Sequence, residues 1–127
     1  MYTGHTITWE RTFTRQDVEY FCELSGDKGE HHLIPDDDGR LIVQGLLTAT
    51  LPTKIGGDYN VFARNMQFNF LRPVFTGDTI TCTVTITQYE KQETRINISS
   101  VFECTNQNDK KVLEGSFEGI IKAPLHE

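Results

Sequence analysis

Residues 41–57, LIVQGLLTATLPTKIGG, constrain the fold more than any other stretch of the chain. On a helical wheel, Leu41, Ile42, Val43, Leu46, Leu47, Ala49, Leu51 and Ile55 occupy nearly every face. A helix that is apolar all round is buried, either in protein or in lipid. Crossing a bilayer takes about 20 predominantly apolar residues. This run is shorter and includes Gln44, Thr48, Thr50, Pro52, Thr53 and Lys54. It is therefore predicted to be a buried central helix that the rest of the chain must cover.

The flanking sequence supplies the cover. Ile7, Trp9, Arg11 and Phe13 alternate with Thr6, Thr8, Glu10 and Thr12, which is the period of a strand. Thr14 with Asp17 has the pattern of a capping box. Val18, Phe21, Cys22 and Leu24 continue at helical spacing, and Gly26 ends a short amphipathic helix. Residues 26–40, GDKGEHHLIPDDDGR, read as a polar loop of the length that is often functional. After Gly56-Gly57 and a turn at 58–60 come four strand-like runs, at about 61–71, 79–89, 95–104 and 112–121. Arg72-Pro73 interrupts after the first. Alternation slips at Ser99-Ser100 in the third, which marks a bulge. Short turns predict an antiparallel meander for these four strands. The fold class is α+β, one domain over residues 1–127, with an antiparallel sheet wrapped around the central helix. Five or so strands leave sheet edges uncovered, and edge-to-edge pairing of two copies would cover them. A homodimer or a higher even oligomer is expected.

The formal charge of −6 argues against nucleic acid or an anionic membrane as a general partner. An anionic ligand held by a few local cations fits. The N-terminus shows no basic segment followed by an apolar one, so a cytoplasmic location is expected. Cys22, Cys82 and Cys104 have no CxxC spacing and an odd count, and read as reduced, buried thiols with no metal role.

His5 and His126 read as solvated. His31-His32 lie in the polar loop, with Asp27 upstream and Glu30 between. An imidazole and a carboxylate just ahead of an apolar helix are able to hold one water between them, as acid–base chemistry requires. Asp36-Asp37-Asp38-Gly39 lacks calcium-loop spacing and the closing Glu, and reads as a solvated acidic turn. There is no GxSxG, P-loop or GxGxxG motif.

Several of these motifs, taken in order, resemble one family. Ser25-Gly26-Asp27, then His32, then the run from Gly39 through Arg40, Val43, Gln44 and Gly45 to Leu47, then Phe70-Leu71-Arg72-Pro73-Val74 and Gly77-Asp78-Thr79 are similar to the MaoC-like (R)-specific enoyl-CoA hydratases, which have the hot-dog fold. The resemblance covers about residues 7 to 121. It implies reversible hydration of trans-2-enoyl-CoA to 3-hydroxyacyl-CoA by an acid–base pair that maps to Asp27 and His32. It implies a backbone N–H at Gly45 that polarises the thioester oxygen. Thr50 falls where the family often has a serine, and His31 and Gln44 are further candidate substrate contacts. The substrate carries coenzyme A or an acyl carrier, and no separate cofactor or metal is implied. Lys54, Arg64, Arg72 and Lys91 are available to the CoA phosphates.

The chain departs from the family pattern at Gly29, Glu30, Ile34 and Gln44, and Pro52 falls inside the expected helix, where it should kink or end it. Two other readings follow. One is a hot-dog thioesterase, which usually carries a catalytic acid on or beside the central helix; residues 41–57 have none and Asp58 comes late. The other is a non-catalytic acyl-CoA-binding or accessory subunit, favoured by Gly29, Ile34 and Gln44.

Overall fold

A computed structural model describes residues 1–122. His126 and the expected tail from Pro124 lie outside the described residues. The chain begins with β1 (Thr6–Thr12) and α1 (Arg15–Ser25). The Thr14 side chain accepts from the Asp17 N–H and the Asp17 side chain accepts from the Thr14 N–H, so the capping box is present. Gly26 ends α1 in the left-handed region, at φ 77°. The segment that follows is not wholly irregular, because α2 (Glu30–Leu33) adds one helical turn. Then come α3 (Gly45–Thr48), α4 (Thr50–Asp58), β2 (Val61–Phe70), β3 (Thr79–Lys91), β4 (Arg95–Thr105) and β5 (Lys111–Lys122).

All five strands form one antiparallel sheet in the order β1-β3-β4-β5-β2. The meander expected of four strands is thus limited to β3, β4 and β5. β2 pairs with β5 at the far edge, so the connection from β2 must pass β5 and β4 to reach β3. The reason lies in residues 71–78, which pair with the stretch ahead of α3 instead of forming a tight turn. Val43 N–H donates to Val74 O at 2.7 Å and Thr76 N–H to Leu41 O at 2.9 Å, and Ile42 bridges Phe75. The bulge also falls on the other strand. Ile86 faces Ser100 and Gln88 faces Ser99, leaving Thr87 of β3 as the extra residue opposite the predicted slip.

The central segment differs most from expectation. Residues 41–44 are extended, and the helix starts only at Gly45. Leu41 and Val43 are buried as parts of that extended pairing, and Leu46 stays 60% exposed. The run is apolar on all faces because two elements share it, and a short apolar run does not reveal its period. Pro52 does not end the helix. The break is at Ala49, whose backbone remains helical (φ −65°, ψ −12°), and α4 runs on to Asp58. Pro52 is the third residue of α4, and it has no N–H for the Thr48 carbonyl one turn back, which fits an interruption at Ala49.

The helix fills the concave face of the sheet. α4 lies against β1, β2 and β3 and buries Leu51, Pro52 and Ile55. From β3, Ile80, Cys82, Val84 and Ile86 point inward, fully buried, while the intervening threonines face out. Each fully buried aliphatic side chain contributes about 1.5–3 kcal/mol relative to exposure. All three cysteines are free and buried. Cys82 faces Cys104 across β3 and β4; its hydrogen bond with Cys104, together with burial, pushes its thiol pKa up. His5 is less solvated than expected: it is half-buried and stacks on Tyr2, with ring centroids 4.8 Å apart.

Candidate active site

The end of α1 builds the first wall. Ser25 Oγ donates to Phe21 O and accepts the Asp27 N–H at 3.0 Å. The chain then turns at Gly26, and Asp27 Oδ1 accepts the Gly29 N–H at 3.3 Å. The single turn of α2 next presents His31 and His32, whose rings lie 3.9 Å apart. His32 is only 5% exposed, and its Nδ1 lies 2.6 Å from the carbonyl oxygen of Ile42. A carbonyl only accepts, so Nδ1 carries the hydrogen. The other ring nitrogen, Nε2, faces Asp27, whose Oδ2 is 3.5 Å away. At 3.5 Å the two atoms lie at the limit of a direct hydrogen bond, and one water beside them is able to reach both.

Beside His32 opens a cavity of about 370 Å³. His31, His32, Ile42, Gly45, Thr48, Phe70 and Arg72 are among its lining residues. Ile42 belongs to the extended stretch, and Phe70 and Arg72 to the end of β2 and the connection after it. Pairing between these two segments therefore draws the cavity together. Gly45 is the first residue of α3, where N–H groups have no intrahelical acceptor. The Phe70 ring lies so close that a β-carbon at Gly45 would come within 2.8 Å of Phe70 Cε1.

Of the residues singled out from sequence, His31, His32 and Gly45 line the cavity, and Asp27 stands behind them against His32. Gln44 and Thr50 do not. Gln44 is 1% exposed, and its Nε2 donates to Val18 O and to Cys22 Sγ, both at 3.2 Å. It ties α1 to the start of the central helix. Thr50 Oγ1 donates to Leu47 O. Of the four cations considered, only Arg72 lines the cavity, with Nη1 donating to Lys111 O at 2.6 Å. Lys54 lies over the Trp9 ring at 4.0 Å and pairs with Asp58 at 2.6 Å.

Thr48 and Phe70 were not singled out from sequence. For Thr48 a signal existed: it stands one turn beyond Gly45, and residues three apart share a helix face. Phe70 reaches Gly45 only through the sheet, and no local pattern reveals that. Among the described residues, no helix is long and apolar enough to cross a membrane.

A helix laid in one antiparallel sheet, with the cavity at its N-terminal end, makes this a hot-dog protein. The resemblance to the MaoC-like (R)-specific enoyl-CoA hydratases holds across sequence and structure. A profile of the Thioesterase superfamily matches residues 46–99, from the central helix into β4, and does not include the Asp27–His32 loop. The chain is 27% identical to a 3-hydroxybutyryl-CoA dehydratase of Methylorubrum extorquens, over 98% of this chain and 82% of that protein. It is 25% identical to an (R)-specific enoyl-CoA hydratase of Rhodospirillum rubrum, over 94% and 88% respectively. In fold it is similar to an (R)-hydratase from A. caviae involved in PHA biosynthesis, with a TM-score of 0.81 at 22% identity, covering 97% of this chain and 98% of that one.

Proposed function

We propose that the protein reversibly hydrates trans-2-enoyl thioesters of coenzyme A or an acyl carrier to 3-hydroxyacyl thioesters, with Asp27 and His32 as the acid–base pair. The observation that carries this reading is the orientation of His32. Its Nδ1 is tied to Ile42 O, which points Nε2 at the Asp27 carboxylate, 3.5 Å away. A water there donates one O–H to each. As its oxygen bonds to C3 of the enoyl group, His32 Nε2 takes one proton. The C2=C3 electron pair shifts toward the thioester oxygen, and the proton returns to C2, so water is added without loss or gain of electrons. The Asp27 carboxylate supports the imidazolium formed on the way. The Gly45 N–H, free at the start of α3, stabilises the enolate oxygen. Arg72, at the cavity mouth, is the cation best placed for a CoA phosphate. The names of the curated relatives support the same reaction class.

The thioesterase reading draws on the superfamily profile, but the matched segment puts no carboxylate on the cavity wall. The accessory-subunit reading drew on Gln44, which serves a structural contact here and leaves the cavity open. We infer further that two copies join along β2. This edge strand and the residue after it expose Phe62 at 74%, Phe70 at 54% and Leu71 at 44%.

The test is hydration of short and medium trans-2-enoyl-CoA, followed by loss of the conjugated thioester absorbance. Asp27→Asn and His32→Ala should each lower kcat/KM by about 100-fold or more with the circular dichroism spectrum unchanged. Wild-type protein that hydrates none of these substrates sinks the reading.

A further inference from the structure

Thr48 carries a buried polar group that the reaction above leaves unused. Three threonines lie on the central helix. Thr50 Oγ1 donates to Leu47 O, and Thr53 Oγ1 to Thr50 O at 2.9 Å. Both make the back-bond usual for threonine in a helix. Thr48 makes none. It is 2% exposed, and its Oγ1 has no hydrogen-bond partner among the described residues. It also lines the cavity, together with His32 and Gly45. A buried hydroxyl without a partner is unfavourable, and native proteins rarely leave one so. A ligand in the cavity would supply the partner.

Geometry narrows what that ligand offers. Gly45 and Thr48 share a helix face at i, i+3. The Cα–Cβ bond of a helical residue leans toward the N-terminus, which inclines the Thr48 side chain toward the Gly45 end of α3. Asp27 and His32 already present the two acceptors that a water's O–H groups need. What remains is a donor, and the matching group on an acyl thioester is its carbonyl oxygen. We propose that the Thr48 hydroxyl is a second donor to the thioester oxygen beside the Gly45 N–H, which makes Thr48 a substrate-contacting residue. The identity of the ligand rests on the hydratase reading; the need for one rests on the unpaired hydroxyl and the cavity.

Thr48→Val keeps the shape and removes the donor, and Thr48→Ser keeps the donor. For enoyl-CoA hydration, Thr48→Val should lose about 10- to 100-fold in kcat/KM, mostly in kcat. Its thermal midpoint should be equal to or above wild type, because an unpaired buried hydroxyl has gone. Thr48→Ser should recover most of the loss. Wild-type turnover in Thr48→Val, or an equal loss in both variants, overturns the proposal. Calorimetric binding of butyryl-CoA, which is saturated and cannot be hydrated, separates this proposal from the reaction. If the wild type binds it yet hydrates no enoyl-CoA, the hydratase reading falls alone. Binding about 3- to 10-fold weaker in Thr48→Val then upholds the thioester contact, and unchanged binding overturns it. Wild-type protein that binds no acyl-CoA overturns both.

Discussion

A methyl group at Gly45 would meet Phe70 at 2.8 Å from Cε1 and 3.1 Å from Cδ1. These atoms belong to a ring that is 54% exposed and free to swing aside. The fold should therefore tolerate Gly45→Ala, with a change in stability of about 1 kcal/mol or less. Turnover should not survive as well, because the methyl group occupies the approach to the first N–H of α3. We expect kcat/KM for enoyl-CoA to fall at least about 10-fold, while the urea midpoint stays near wild type. Wild-type turnover in this variant would show that no thioester oxygen reaches Gly45. Single residues also explain two departures from the family pattern. Gln44 holds α1 through Val18 O and Cys22 Sγ. Gly29 still binds Asp27, but through its backbone N–H.

At the scale of elements, α1 matters because it places Asp27 at its C-terminal end. Its N-terminus is fixed by the capping box, and Asp17 also receives Arg11 Nη2 at 2.8 Å. Burial alone would raise the Asp17 pKa. The hydrogen bonds from the Thr14 backbone and side chain and the Arg11 charge outweigh it, so the carboxyl sits below its ordinary value of 3.8. A carboxylate with a lowered folded-state pKa stabilises the fold above its unfolded-state pKa, and this contribution fades as pH falls through the folded value. Asp17→Asn should therefore lower stability by about 1 kcal/mol at neutral pH. The difference from wild type should shrink once the pH drops below 3.8. Urea unfolding of both proteins across that range checks it, and a gap independent of pH would rule out the charge as its source.

For the whole molecule, the decisive feature is the free edge at β2. β5 presses closely against this strand on its inner side. At Gly115 and Gly119 a β-carbon would run into the backbone carbonyls of Gln67 and Phe62. Its outer side has no partner among the described residues. Pairing of two β2 strands would extend the sheet across both copies and cover Phe62. Light scattering should give twice the chain mass of 14.5 kDa. Phe62→Lys should shift the population toward one copy, since a charge on an edge strand opposes pairing. A wild-type mass of one chain at working concentration would exclude the dimer.

The sequence alone determined the features that depend on short spacings. The Thr14–Asp17 cap, the glycine stop at Gly26, and the alternation of Ile80, Cys82, Val84 and Ile86 are all local. Each survived in the structure because neighbours along the chain are enough to specify it. Tertiary structure decided where residues 41–44 end and the helix begins, because pairing with residues 74–76 pulled them into an extended form. It also sent β2 to the far edge, turned Gln44 away from the cavity, and brought Phe70 onto Gly45. In each case the partner lies 20 or more residues away, and an apolar or amide side chain carries no sign of which distant group it will meet.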